Sequence, residues 1–492
     1  MKKKLILTVI LVSVLTLGFS QTKQWTVSNE STWINAVNGI RTGGNNMNHN
    51  IVFSGSISVP MSDGPTFGSV TGVTVTLEGS GSITPSSNGA LLRIGSGQIV
   101  IVRNLTLQGR INNNSSVVRI MTGGTFRMQG RASVTDNSAV QGSNTSGVYV
   151  NGGTFFMEDN SSVTNNTTKN ERGGADSGGV RVDDGGTFTM KGGTISGNTV
   201  IGTQFLASNN KISVGIAAGG GVSIGENCTF NMHGGIITRN TATSIGGQGP
   251  ARAVGGGVCV MNGTFNMQGG TITANTAKYD NSGWKVMGGA SMWSASGGGV
   301  YIEGKNGSFI MQDGTITRNN TNSAGGGVFI HSGTFTMNNG SISGNISPSS
   351  GAGVDVHGSF IMVNGDISSN TGTGVDVYDS FTMKGGKISG NGGPNCNGGG
   401  VCINSGTFTM ENGEISSSTA SAGGGVYLKA KCVFNKNGGI IYGNDAAQNT
   451  RNTLVNKNAK GHVVYDDGNN RWRNATAGID MNTTTYGFWI ND

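Results

Sequence analysis

From Met121 to Asn444 the chain alternates apolar and polar residues in bursts of three or four, separated by Gly-rich or Asn/Gly corners. In Gly325–Asn345 the bursts are Val328-Phe329-Ile330, Thr334-Phe335-Thr336-Met337 and Ser341-Ile342-Ser343. A period of two marks a strand with one buried face. Gly and Asn at the corners tolerate the positive φ that a sharp bend requires. The pattern predicts three short strands and three turns per unit. Its Phe-x-Met pair recurs from Phe126/Met128 to Phe408/Met410, and a last copy at Phe434 has Lys436 in place of Met. Phe335 to Phe360 is 25 residues and Phe360 to Phe381 is 21, the bare repeat; Phe265 to Phe309, at 44, contains an insertion.

An all-strand repeat of this length implies stacked units, because one unit alone cannot cover its apolar face. Leucine-rich repeats need several Leu per unit, and propeller blades need about 40 residues. What remains is a parallel β-helix, with each unit one coil and coils spaced by about 4.8 Å. Phe then stacks on Phe, Met on Met and Val on Val. An Asn follows the third strand at Asn137, Asn166, Asn198 and onward to Asn391, then at Asn444, with Ser418 as the exception. An Asn at one corner of every coil is expected to adopt left-handed geometry and bond its amide to the next.

The GGGV and Ile-x-x-Asn elements of these units resemble the GGA-[ILV] and Phe-x-x-Asn repeats of chlamydial polymorphic outer membrane proteins. They are closer still to spirochaetal β-helix surface proteins. The resemblance covers about Met121–Asn444 and lies in the repetition. It implies a right-handed β-helix at the cell surface and no reaction. Ile stands where the chlamydial repeats have Phe before the Asn, and no membrane-barrel segment follows.

Gly, at 88 residues against 6 Pro, fits corners between strands, and the 12% of charged residues suits a stacked extracellular protein. Residues 1–20 read as a secretory signal: Lys2–Lys4, an apolar run from Leu5 to Leu17, then Gly18 and Ser20 before the cleavage point. The apolar run is too short to span a bilayer. Removing Lys2, Lys3 and Lys4 lowers the net charge from +7 to +4, which gives no argument for nucleic acid. The five Cys match no zinc spacing. Cys396 and Cys402 are candidates for a small loop disulfide.

Residues 21–120 are expected to form an N-terminal cap and irregular first coils. A strand at Trp25–Val27 precedes a capping helix carrying Trp33, Ile34, Val37 and Ile40 on one side. Residues 103–109, RNLTLQG, with the preceding Ile101 and Val102, resemble a turn of pectin-lyase-like solenoids, a likeness of fold alone. Residues 121–445 are the repeat β-helix and 446–492 a last coil and cap, with a final strand at His462–Tyr465. About fifty residues are too few for a translocating barrel.

Two sets of residues are candidates for chemistry. Insertions at Thr199–Ala218, Thr241–Val254 and Thr276–Ser296 fall in successive units and should emerge side by side as loops. Their Phe205, Arg252, Tyr279, Trp284, Lys285 and Trp293 suit a host or matrix protein or a glycan. The alternative is that these side chains bury one another. Asp355 and Asp376 occupy equivalent outward positions one coil apart, with His331 and His357 in the neighbouring column. Two such carboxylates could hold Ca²⁺ or serve in glycoside cleavage, or be solvated surface acids. A lyase would also need a basic residue, and the nearby column offers no Arg or Lys on this reading. The expectation is a secreted or surface-exposed bacterial binding protein of adhesin type. The alternative is a polysaccharide-active enzyme on the same scaffold.

Overall fold

Each unit folds as one coil of three strands, and equivalent strands of successive coils pair in parallel, in register. The computed structural model describes residues 22–61, 63–140, 145–206, 212–246, 251–280, 295–348, 351–456, 459–469, 471–477 and 481–482. Three long sheets result, of 16, 14 and 14 strands. The first contains the Phe-x-Met strands, the second the strands after the Gly triplets, and the third the Ser/Thr-Ile-Ser/Thr strands. This is the architecture of a parallel β-helix. The signal segment lies outside the described residues.

The expected columns form inside the coil. Phe126 through Phe434 make one continuous stack, with neighbouring centroids 4.6–5.4 Å apart. Such pairs contribute about 0.5–1.5 kcal/mol each beyond area burial. The Met column beside it is fully buried, and its last position is taken by Lys436, whose Nζ donates to the Gly439 carbonyl at 2.7 Å. The Gly triplets serve close approach between coils: a Cβ on Gly327 would lie 2.6 Å from the Gly353 oxygen and 3.0 Å from the Asn345 amide nitrogen.

The Asn ladder runs unbroken from Asn113 to Asn391. Asn275 shows the pattern. Its Nδ2 donates to Asn319 Oδ1 (3.0 Å) and to the Ile237 carbonyl (2.9 Å). Its Oδ1 accepts from the backbone N and Nδ2 of Asn240, each at 3.0 Å. Two expectations need correction. The left-handed residue is the one before the ladder Asn: Arg239, Ala274 and Arg318 have φ of 54°, 54° and 55°. Asn444 is exposed and outside the ladder. A turn intervenes in the last coil, and Asn452 takes the corner, accepting from the Ser418 N–H at 2.9 Å.

Both ends are closed. The helix Glu30–Arg41 begins with a capping box between Asn29 and Thr32 and buries Trp33, Ala36, Val37 and Ile40. Ile34, expected on that face, is exposed, and Ala36 takes its place. Trp33 packs against Phe53 and Phe67 at 6.0 and 6.4 Å. At the far end the last strands of two sheets are covered by antiparallel partners: Arg471–Arg473 on Val464–Asp466, and Met481–Asn482 on Val433–Lys436. Ala477 bridges to Ile441 of the third. Such covers remove the free edge that invites pairing with another chain. The last parallel strand of the second sheet starts at Val464, so His462 precedes it.

The described parts of the insertions fold largely as sheet where loops were expected. Thr199–Thr203, Thr241–Ile245 and Thr276–Asp280 lie side by side in a seven-stranded sheet. Gly215–Ala218, Ala251–Val254 and Ala295–Ser296 belong to a four-stranded one. Between the two sheets Val200, Ala217, Ala242, Ala253 and Ala277 form a thin core of small side chains. The four-stranded sheet in turn lies on the outer face of the second long sheet, where Ala218 and Val254 join Cys259, Tyr301 and Phe329.

Candidate functional site

Every strand after a Gly triplet points two residues inward and leaves its second and fourth positions on the outer face. The inward positions repeat; the outward ones do not. In register, the second-position column reads Tyr301, Phe329, Asp355, Asp376, Cys402 and Tyr427. The fourth position places Glu303, His331, His357, Tyr378, Asn404 and Lys429 alongside. Nearer the N-terminus, the Arg119 and Arg181 guanidinium groups sit over the Tyr149 ring at 4.9 and 5.6 Å.

Under the covering sheets this face is filled. Arg252 reaches down to Glu303 (3.2 Å) and to the Tyr301 hydroxyl, which itself donates to Glu303 at 2.9 Å. Burial raises the Tyr301 pKa, so the phenol stays a donor. Tyr279 packs on the alanine core, and its hydroxyl donates to the Gly246 carbonyl at 3.1 Å. Phe205 pairs in a short antiparallel ribbon beneath the Arg172 guanidinium, 5.4 Å from its ring. Arg252 and Tyr279 are therefore half-buried, Arg252 against the coil and Tyr279 on the alanine core of the inserted sheets. Trp284, Lys285 and Trp293 lie outside the described residues.

The four-stranded cover ends at Ala295–Ser296, and beyond it the outer face opens. There Asp355 and Asp376 pair in register. Neither is a solvated surface acid: Asp355 is 0% exposed and Asp376 is 4%. The turn at Gly351 folds over them, and its N–H donates to Asp376 Oδ2 at 3.2 Å. Asn404 Nδ2 donates to the other Asp376 oxygen, and Cys402 is the next residue in register beside Asp376. His357 Nε2 lies 2.9 Å from Asp355 Oδ1. Burial and then the neighbouring Asp355 raise the Asp376 pKa well above the ordinary carboxylate range. His331 and His357 do not stack on each other. His331 lies against Tyr301 and Phe329, each 6.3 Å away, and His357 against Phe329 (5.2 Å) and Tyr378 (4.1 Å).

Beside Asp376 is a cleft of about 410 Å³, within the usual span of small-molecule sites, ~300–1,000 Å³. It is lined by the second-position residues Asp376, Cys402 and Tyr427 and by the fourth-position residues Tyr378, Asn404 and Lys429. Ser347-Pro348 and Gly392–Asn397 also line it. No family model, curated protein or solved structure matches the chain.

The sequence singled out Asp376 but missed its surroundings. Lys429 does occupy the column reported to lack a base, two coils beyond Tyr378, once Val375, Val401 and Val426 are aligned. That alignment is the signal that could have found Asn404 and Lys429. Cys396 and Cys402 are not joined; all five Cys are free, and Cys396 Sγ donates to the Gly393 carbonyl at 3.1 Å. Cys402 sits on a strand in register with Asp376. Among the described residues no group of three or more His, Cys, Asp or Glu converges as metal ligands. The Asp355/Asp376 pair alone would have to supply the carboxylates of a Ca²⁺ site.

Proposed function

We propose that this protein is a surface-displayed bacterial β-helix with a structural and adhesin-like binding role, akin to the chlamydial and spirochaetal repeat proteins. It would take a host or matrix protein or a glycan as partner. The observation that carries this reading is the division of labour across the second sheet. Inward positions repeat as Val/Ile/Leu columns, whereas outward positions vary from coil to coil and converge on a cleft. A rigid coil that holds a variable strip of polar and aromatic side chains suits recognition.

The rival reading, polysaccharide cleavage by the Asp355/Asp376 pair, requires both carboxyls to reach the sugar. Asp355 has no accessible surface, so the pair does not meet that requirement. The test is a binding screen of the secreted protein against matrix proteins, mucins and a glycan array, run beside an assay for new unsaturated or reducing ends on pectate, alginate and glycosaminoglycans. Specific binding without turnover supports the proposal. Turnover abolished by Asp376→Ala, or no binding to any member of the screen, overturns it.

A further inference from the structure

We infer that Arg93 and Arg119, in register on the outer face of the second sheet, form a subsite for an ester-linked tetrahedral oxyanion, either sulfate or phosphate. This rests on the binding role proposed above and names a group that the partner carries. Arg119 stands directly opposite Arg93 on a parallel strand, about 4.8 Å away along the coil axis. The residues flanking each Arg point into the core, and the two Arg side chains project outward, half-buried. The four-stranded cover begins at Ala175–Asp176, in the coil of Arg181, and stops short of these two coils. Like charges set directly opposite each other destabilise a sheet. An arginine stays cationic at any physiological pH, so residue type fixes the sign of the site.

The acids of this face are engaged elsewhere or stand apart. Asp176 and Asp183 lie 3.0 and 2.6 Å from Arg181 and serve that residue. The fourth-position column beside Arg93, Arg119 and Tyr149 is Gly95, Met121 and Asn151, all neutral. Asp63 and Asp184 are exposed in connecting segments, and neither forms an ion pair with Arg93 or Arg119. Residues 62 and 141–144, outside the described residues in these coils, include no acidic type. Neither guanidinium takes a hydrogen bond or ion pair among the described residues, and the Nε of each is buried without a partner. A buried donor without an acceptor costs stability that a bound oxyanion would restore.

The number of forks selects the anion. A guanidinium presents its N–H donors in a planar fork that takes two oxygens at once. One carboxylate fills one fork and leaves the second empty. A sulfate or phosphate ester has three terminal oxygens, so two forks can each take a pair and share the third. Packing holds the site in place: the Arg119 guanidinium lies 4.9 Å over the Tyr149 ring, and Arg181 lies 5.6 Å from the same ring.

The test uses the full secreted chain and isothermal titration at low ionic strength. One pair of probes is sulfated chondroitin oligosaccharides and their desulfated counterparts, which keep their carboxylates. The other is phosphomannose oligosaccharides and their dephosphorylated counterparts. The two pairs separate the sulfate source from the phosphate source. At least one ester should bind, about tenfold or more tighter than its stripped counterpart. Arg93→Met and Arg119→Met should each weaken that binding about tenfold. Arg93→Lys and Arg119→Lys keep the charge but lose the fork; they should recover only part of the affinity, and they carry the test if a Met variant fails to fold. Lys384→Met makes the same charge change at an exposed position beside the first sheet and should leave binding unchanged. Equal binding of stripped and esterified probes, no binding of either ester, Arg→Met or Arg→Lys variants that bind as wild type, or an equal loss in Lys384→Met would each overturn the inference. Matrix or glycan binding that persists in both Arg→Met variants overturns this subsite and leaves the binding role standing. A chain that binds nothing in the wider screen overturns both.

Discussion

Replacing Asn275 by Ala removes one rung from the middle of the ladder. Asn275 is fully buried, and its amide makes four hydrogen bonds. The substitution deprives the Asn240 backbone N–H and one Asn240 Nδ2 hydrogen of their acceptor, and it takes a donor from the Ile237 carbonyl. Two or three buried polar groups left unsatisfied, at about 1–3 kcal/mol each, give a loss of about 2–9 kcal/mol before relaxation. Because coils interact mainly with their neighbours, the damage should stay local. The assay is hydrogen exchange by mass spectrometry together with urea unfolding. Peptides spanning Ile237–Asn240 and Thr315–Asn319 should lose protection most, and those of the N-terminal coils least. Asn444→Ala, at an exposed Asn of the same apparent motif, should cost under about 0.5 kcal/mol, whereas Asn452→Ala should resemble Asn275→Ala. If Asn275→Ala and Asn444→Ala cost the same, the ladder is not a structural element and the reasoning fails.

Other consequences follow from the same contacts. Ala274 has φ 54°, where a Cβ is strained; Ala274→Gly should raise stability by about 0.5–1 kcal/mol in chemical denaturation, net of glycine's entropy, and a loss would contradict the corner geometry. Phe265→Ala should cost about 3–5 kcal/mol, read as a lower urea midpoint, because the ring is fully buried between Phe230 and Phe309. Asp376 has a folded pKa raised above its ordinary 3.8 by burial and by Asp355. Its protonated form therefore contributes stability that is complete below the unfolded pKa and is lost as pH rises through the folded one. Asp376→Asn should flatten that decline in unfolding free energy measured from pH 4 upward; superimposable profiles for the two proteins would refute it.

The inner coil was legible because its signal is repeated: Phe, Met, Val and Asn recur at fixed offsets, and each copy corroborates the others. The last coil shows the limit. Asn444 satisfied the motif, yet the turn after it moved the corner to Asn452. Similarly, the left-handed corner residue is Arg239, Ala274 or Arg318 in three successive coils, types that no turn pattern marks, although Asp136, Asn165, Gly197, Gly344 and Gly390 hold it elsewhere. The insertions looked like loops because their small residues, Ala217, Ala242, Ala253 and Ala277, carry little hydrophobic signal singly; stacked, they make a core. The outward column was half legible. Asp376 and Tyr378 were visible in one unit, but Asn404 and Lys429 join them only when three coils are laid in register.

That register underlies both the ladder and the cleft, and it can be measured without a ligand. In a background with its native Cys replaced by Ser, Thr336→Cys and Ile361→Cys place thiols on directly paired, outward positions of adjacent coils. Parallel neighbours about 4.8 Å apart lie within disulfide reach. Mild oxidation should crosslink this pair rapidly, detected as a linked peptide by mass spectrometry, and should leave Thr336→Cys/Val363→Cys mostly reduced. Preferential crosslinking of the second pair, or of neither, would contradict the stacked parallel register.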